Sequence, residues 1–229
     1  MEAIILSGGL GTRLKSVIDD MPKPMAPIGN KPFLEYILDF LMHQGVTRVI
    51  LATGYKREKI ENYFGTFYGK LSLDYSVETE PLGTGGAIKQ AFLKVDGERA
   101  FVLNGDTFFD VHLGELLKTH VSMKADITLA LKPMKEFNRY GAVIIEKDWV
   151  TEFKEKEQAD FGKINGGIYI VEKSVFEKLH MPYKFSFETD LLVRNMDKLK
   201  IGSLTMDKYF IDIGIPEDYL RAQRDLFHE

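Results

Sequence analysis
The chain has no cysteine anywhere in its 229 residues. That excludes disulfides, thiolate nucleophiles and cysteine-held zinc, and it fits a reducing compartment. Proline is sparse, at 8 residues, and no proline-rich, serine-rich or single-letter tract interrupts the chain. With 45% hydrophobic and 28% charged residues, the composition is that of a globular protein able to bury a core. No apolar run approaches the roughly 18 residues of a membrane span, and no basic leader precedes an apolar core. The first strand is expected from Ala3, so a soluble cytoplasmic protein with no signal peptide and no membrane partner is expected. Positive charge is also in short supply: 30 Lys and Arg against 34 Asp and Glu give a formal charge of −4. That balance argues against a nucleic-acid partner, which would need clustered basic residues, but it leaves room for a local basic pocket.

What the sequence does contain is alternation. Short apolar runs at 3–7, 48–53, 73–77 and 100–106 read as strands, and "PFLEYILDFLMHQG" between them carries a helical stripe through Phe33, Tyr36, Ile37, Phe40, Leu41 and Gln44. Pro32 suits its first turn and Gly45 its exit. Strands alternating with helices imply an α/β fold with a doubly wound, mostly parallel, Rossmann-like sheet to about residue 120. Ligands then belong at the carboxyl ends of the strands. After residue 120 the texture changes to runs at 126–132, 140–146, 149–156 and 164–171 with short turns between them, a β-rich second half that completes one mixed sheet. A helix at about 186–196, a strand pair near 201–212 and a last helix from Pro216 close the chain. No linker separates the halves, so a single domain spanning 1–229 is expected, with halves 1–120 and 121–229.

The stretch "IILSGGLGTRL" at 4–14 opens a strand into a glycine loop. Counting from Gly9, a dinucleotide fingerprint would need a third glycine where Leu14 stands, and no P-loop spacing is present. What remains is backbone without Cβ atoms at Gly8, Gly9 and Gly11, a hydroxyl at Thr12 and a fixed cation at Arg13, a set able to approach phosphate oxygens closely. The glycines alone read equally well as a tight strand-to-helix turn. In "PKPMAPIGNKP" at 22–32, Lys23 stands between two prolines, so a stiff, extended backbone is expected to hold out a second cation near the first.

"LSGGLGTRL" followed by "PKPMAPIGNKP" resembles the sugar-1-phosphate nucleotidyltransferases. The resemblance continues through "PLGTGGAI", "LNGD", "RYG", "FKEK", "NGGIYI" and "IDIGIPEDY", and so spans essentially the whole chain. Within the family, the wording of "PLGTGGAI", "NGDTFFDV" and "INGGIY" is most similar to the branch that guanylylates D-glycero-α-D-manno-heptose 1-phosphate. The resemblance implies a GT-A-like nucleotidyltransferase fold, with a nucleotide-binding first half and a sugar-phosphate-binding second half. The implied substrates are GTP, or another nucleoside triphosphate, and a sugar 1-phosphate, with pyrophosphate released. Mannose 1-phosphate with GTP, a UTP-, CTP- or dTTP-using enzyme, and a non-catalytic nucleotide-sugar sensor are the alternatives. Monomer and small homo-oligomer both stay open.

By the same resemblance, Asp106 and Asp212 hold Mg²⁺, an ion that takes a few carboxylates together with phosphate oxygens and water. Arg13 and Lys23 bear on the triphosphate, and Lys156 holds the incoming sugar phosphate. Leu6, Gly8, Gly9, Gly11, Thr12, Glu80, Gly83 and Gly85 complete the nucleotide side. Asn104, Tyr140, Gly141, Glu155, Asn165 and Gly167 complete the sugar side. Glu78 and Glu80 precede the second glycine loop, and a carboxylate there could accept from N1–H and the 2-amino group of guanine, a donor pair that uracil and thymine lack. The chain departs from the family at Glu157, where a proline commonly follows the Glu-Lys pair, and at Phe210, often tryptophan. Asp106, Asp110 and His112 lie close enough in sequence to suggest zinc, but Asp110 and His112 are better read as the start of the helix in "LGELLKTH".

Overall fold
The computed structural model describes residues 1–9 and 21–227. Gly11, Thr12 and Arg13 lie outside the described residues. Strands β1 (Glu2–Leu6), β2 (Pro27–Ile28) and β3 (Lys31–Pro32) precede helix α1 (Phe33–His43). Next come β4 (Arg48–Thr53), α2 (Arg57–Phe64), β5 (Phe67–Tyr68), β6 (Leu71–Val77) and α3 (Gly83–Ala91). β7 (Arg99–Asn104) and β8 (Thr107–Phe109) lead into α4 (Leu113–Met123). The second half contains β9 (Ile127–Phe137), β10 (Gly141–Glu146), β11 (Trp149–Lys156), β12 (Ala159–Glu172), α5 (Val175–Lys178), β13 (Ile201–Thr205), β14 (Phe210–Asp212) and α6 (Pro216–Asp225).

Among the described residues, ten strands form one sheet in the order β10-β11-β13-β9-β12-β7-β1-β4-β6-β5. β7, β1, β4 and β6 run parallel, which requires helical crossovers, whereas β12 runs antiparallel to both β7 and β9 and joins the halves into one sheet. Side chains alternate across this sheet, as the pleat demands. Ala3, Ile5, Val49, Leu51, Phe101 and Leu103 enter a core beneath α1. Ile4, Ile50, Ala52, Ala100 and Val102 enter a second core with residues of α3. Two buried faces explain why these strands read as unbroken apolar runs. The fold is therefore the doubly wound mixed α/β sheet expected, with its β-rich second half.

Three expectations need correction. The segments near 201–212 do not pair with each other: β13 lies parallel to β9 in the large sheet, while β14 pairs with β8 in a separate two-stranded ribbon. The expected helix at 186–196 is a π-helical turn, Phe187–Leu192, followed by a 3₁₀ turn, Val193–Asn195. The amide of Asn195 donates to the carbonyls of Asp190 and Leu191, groups that a continuing α-helix would use itself. Finally, Pro32 is the cap residue before α1 and lies outside its first turn, while Gly45 takes φ +79° at the exit.

Candidate active site
The ribbon of β8 and β14 solves a problem of sequence distance. Asp106 immediately precedes β8, Asp212 ends β14, and Asp212 stands opposite Thr107 in the register. The Ile213 amide donates to the Asp106 carbonyl at 3.0 Å, so the two aspartates are fixed side by side at the end of β7. Gly105 makes the approach feasible, since a Cβ there would overlap the Leu6 carbonyl of β1. Asp212 Oδ1 accepts the Gly214 amide at 2.7 Å and Oδ2 accepts the Tyr140 hydroxyl at 3.3 Å. Burial pushes the Asp212 carboxyl above the usual carboxylate range, and the Asp106 charge pushes it further the same way. The Tyr140 hydroxyl is itself raised to about 12, by burial first and by Asp212 second.

Lys23 partly offsets this concentration of negative charge. Its Nζ lies 2.8 Å from Asp106 Oδ2, with only 13% of the side chain exposed. The expected extended strut is thus corrected. Pro22 is extended, but Lys23–Met25 forms a 3₁₀ turn closed by the Met25 amide on the Pro22 carbonyl, and that turn aims the lysine at the aspartate. The turn is braced from the far end of the chain, because the Tyr219 hydroxyl and the Gln223 amide of α6 both donate to the Pro27 carbonyl.

The donor set suits a divalent cation: two adjacent carboxylates, one of them half-buried and destabilised by the other's charge. No group of three or more His, Asp or Glu side chains with ligand geometry occurs among the described residues. An ion held here would complete its shell with phosphate oxygens and water, as Mg²⁺ prefers. His112 takes the cap position before α4 without a side-chain capping bond, and Asp110 is exposed just before it.

A cavity of about 740 Å³ opens beside Asp106 and Lys23. Leu6, Gly8, Gly9, Glu78, Glu80 and Gly83 line one side of it, and Asn104, Tyr169 and Glu188 also face it. The glycines differ in what explains them. A Cβ at Gly9 would meet nothing within 4 Å among the described residues, so none of them demands a glycine there. At Gly8 a Cβ would crowd Glu78, whose Oε2 accepts the Leu82 amide at 2.9 Å and whose carboxyl is raised by burial. Glu80 is exposed on the cavity wall. Gly83 adopts φ +72°. Gly85 is buried, does not line the cavity, and a Cβ there would overlap the Phe185 ring.

Among the residues expected to meet the sugar, Asn104 lines the cavity, and the φ +73° backbone of Gly167 lies so close that a Cβ would crowd the Asn104 amide. Asn165 holds this loop, accepting the Gly167 amide at 3.1 Å and donating to Tyr169 at 2.6 Å and Glu188 at 3.2 Å. Tyr140, Gly141, Glu155 and Lys156 sit outside the cavity lining. Tyr140 bonds Asp212, the adjoining Gly141 pairs with Lys156 across β10 and β11, and both Glu155 and Lys156 are exposed. Gly141 has room for no side chain, because a Cβ would overlap the Lys154 carbonyl. Sequence reasoning passed over Glu188 and Tyr169. Tyr169 is visible within "NGGIYI", but Glu188 lies in "FSFETDLL", which carries only the signature of a helix start.

Comparison with known proteins agrees with this geometry. The nucleotidyl transferase family profile matches residues 2–229. A D-glycero-α-D-manno-heptose 1-phosphate guanylyltransferase of Aneurinibacillus thermoaerophilus is 56% identical over 228 residues, covering 100% of this chain and 99% of that protein. A protein of the same name from Campylobacter jejuni is 53% identical, with 96% and 97% covered. The crystal structure of HddC from Yersinia pseudotuberculosis complexed with GMP-PN superposes with a TM-score of 0.88 at 37% identity, covering 99% of each chain. A glycine-lined cavity that reaches Asp106, an aspartate that the β8–β14 ribbon sets beside Asp212, in a chain matched from end to end, makes this protein a member of the nucleotidyl transferase family.

Proposed function
We propose that the protein transfers the guanylyl group of GTP to D-glycero-α-D-manno-heptose 1-phosphate, forming GDP-heptose and pyrophosphate for a surface polysaccharide. The observation that carries this reading is the pairing of Asp212 with Asp106, which lines the same cavity as the Gly8 and Gly9 backbone and the polar groups of Asn104, Tyr169 and Glu188. The heptose and the guanine come from the relatives at 56% and 53% identity. A phosphate oxygen of the sugar phosphate attacks the α-phosphorus, the bond to the β-bridging oxygen breaks, and pyrophosphate leaves with that electron pair. The second pKa of a phosphate monoester is near 6, so the nucleophile is already ionised at neutral pH and no side-chain base is needed. The protein's task is to align two anions and compensate their charge.

Asp106 and Asp212 would hold Mg²⁺, which would supply positive charge to compensate the phosphate oxygens. Lys23 sits at the same carboxylate, positioned to exchange its partner for a phosphate oxygen when substrate arrives, with Arg13 as the second cation of the nucleotide side. Glu80, exposed on the wall, is the acceptor for the guanine edge. Lys156, exposed at the end of β11, takes the sugar phosphate, and Glu155, Asn104, Asn165 and Glu188 present acceptors or donors to the heptose hydroxyls. No helix of the described residues is long and apolar enough to cross a membrane, and the reaction's charged, soluble substrates suit the cytoplasm.

The test is pyrophosphate release with Mg²⁺, measured for four nucleoside triphosphates against heptose, mannose, glucose and N-acetylhexosamine 1-phosphates. Signal confined to GTP with the heptose phosphate is expected. Signal in another square keeps the chemistry and replaces the substrate, and silence throughout refutes the enzyme reading.

A further inference from the structure
The second glycine loop is fastened by a neighbouring stretch of backbone. A strap of backbone at 183–187 lies directly on α3. A Cβ at Gly83 would come within 2.6 Å of the Phe185 carbonyl, one at Gly86 within 2.7 Å of the Tyr183 carbonyl, and one at Gly85 would overlap the Phe185 ring. Four hydrogen bonds fasten the strap: the Phe185 amide to the Leu82 carbonyl at 3.0 Å, the Gly85 and Gly86 amides to the Phe185 carbonyl at 3.0 and 3.4 Å, and the Phe187 amide to Thr84 Oγ1 at 2.9 Å. The residue after Phe187 is Glu188. Its Oε1 accepts from both Asn165 and Tyr169, and its Oε2 has no partner among the described residues. Thr84 and Glu188 both line the cavity.

We infer that Thr84 is a positioning residue: by accepting the Phe187 amide it fixes the Glu188 carboxylate on the sugar side of the cavity and ties that wall to the nucleotide loop. The inference rests on the proposed reaction, in which the Glu188 wall receives the sugar. Phe187 and Glu188 begin a π-helical turn, a strained geometry that persists only where neighbours hold it and that recurs at functional sites. The first amide of that turn has no partner inside it, and Thr84 supplies the acceptor. Valine at position 84 has the shape of threonine without the acceptor, and would leave the Phe187 amide unpaired.

The experiment compares the parent, Thr84→Val and Thr84→Ser by initial rates with both substrates varied, alongside thermal melts. In Thr84→Val the KM for heptose 1-phosphate should rise roughly tenfold, the effect of one lost hydrogen bond, while the KM for GTP stays within about twofold. Thr84→Ser, which keeps the oxygen, should restore the sugar-phosphate KM. A rise confined to the KM for GTP would mean that the hydroxyl touches nucleotide and would overturn the inference. So would equal KM values for the valine and serine variants, or a loss of melting temperature with both KM values unchanged. A parent that transfers nothing would overturn the proposed function as well, whereas an active parent with indifferent variants overturns only the role of Thr84.

Discussion

Gly9 and Gly85 look alike in sequence, each within a glycine loop after a strand, and the structure requires them to fail differently. Gly85→Ala places a methyl group in the Phe185 ring. Overpacking of that kind costs about 1–3 kcal/mol. Because Gly85 lies within α3, alanine returns roughly 1 kcal/mol of helix propensity. The net is a destabilisation of about 0–2 kcal/mol, or a melting temperature lower by up to roughly 8 °C for a chain of this length. Phe185→Leu makes room, so in that background the propensity gain should survive and the clash should not. The two substitutions should therefore couple by roughly 1–2 kcal/mol in a double-mutant cycle. Gly9→Ala meets nothing within 4 Å, so its melting temperature should match the parent's to within about 2 °C. The KM for GTP should nonetheless rise about tenfold or more, as the methyl group holds phosphate away from the backbone. Calorimetric melts and GTP titrations of the parent, the three single variants and the Gly85→Ala/Phe185→Leu double variant decide the matter. If Gly85→Ala weakened GTP without lowering the melting temperature, and without coupling to Phe185, the distinction between a packing glycine and a ligand glycine would be refuted.

Three further outcomes are expected. Asp106→Asn and Asp212→Asn should each lower kcat by roughly 10²–10⁴-fold, about 3–5 kcal/mol of lost charge compensation, with circular dichroism unchanged; Mg²⁺-dependent turnover retained in both would mean the site is misplaced. Lys156→Ala should raise the KM for the sugar phosphate by about 10- to 100-fold, the range for a bond to a charged group; an increase seen only for GTP would reverse its assignment. His120 is buried between Thr128, at 2.8 Å, and Glu172, at 2.9 Å, with the charges of Arg99 and Asp126 nearby. Burial holds its pKa below the ordinary value, so below about pH 6.5 the unfolded chain binds a proton that the native chain resists. Stability should fall as pH drops through that value, and His120→Gln should remove this slope from melts between pH 7 and 5.5. Parallel slopes in parent and variant would show that another group titrates.

The alternation of strands and helices, and the change of texture near residue 120, were legible because they are local: an apolar run buried on two faces, or a 3.6-residue stripe, is written in neighbouring letters. Asp106 and Asp212 could each be singled out as a carboxylate at a strand end, but their meeting depends on a two-stranded ribbon outside the main sheet. The expectation that β14 would pair with β13 shows how weakly three-residue strands announce their partners. Lys23 was recognised as a presented cation, yet its direction depends on a turn braced by α6, nearly two hundred residues away.

The glycines mark where motif reading reaches its limit. A glycine is required by whatever occupies the place of its missing side chain, and the sequence does not name that occupant. At Gly105 it is the Leu6 carbonyl, at Gly167 the Asn104 amide, at Gly85 the Phe185 ring, and at Gly9 nothing within 4 Å. The first two are demands of the site's own scaffold, setting Asp106 and Asn104 at the cavity; the third fastens the wall that carries Glu188. Of these four only Gly9 has its space open among the described residues, and that openness, rather than its place in a glycine-rich string, is the physical reason to propose it for the substrate.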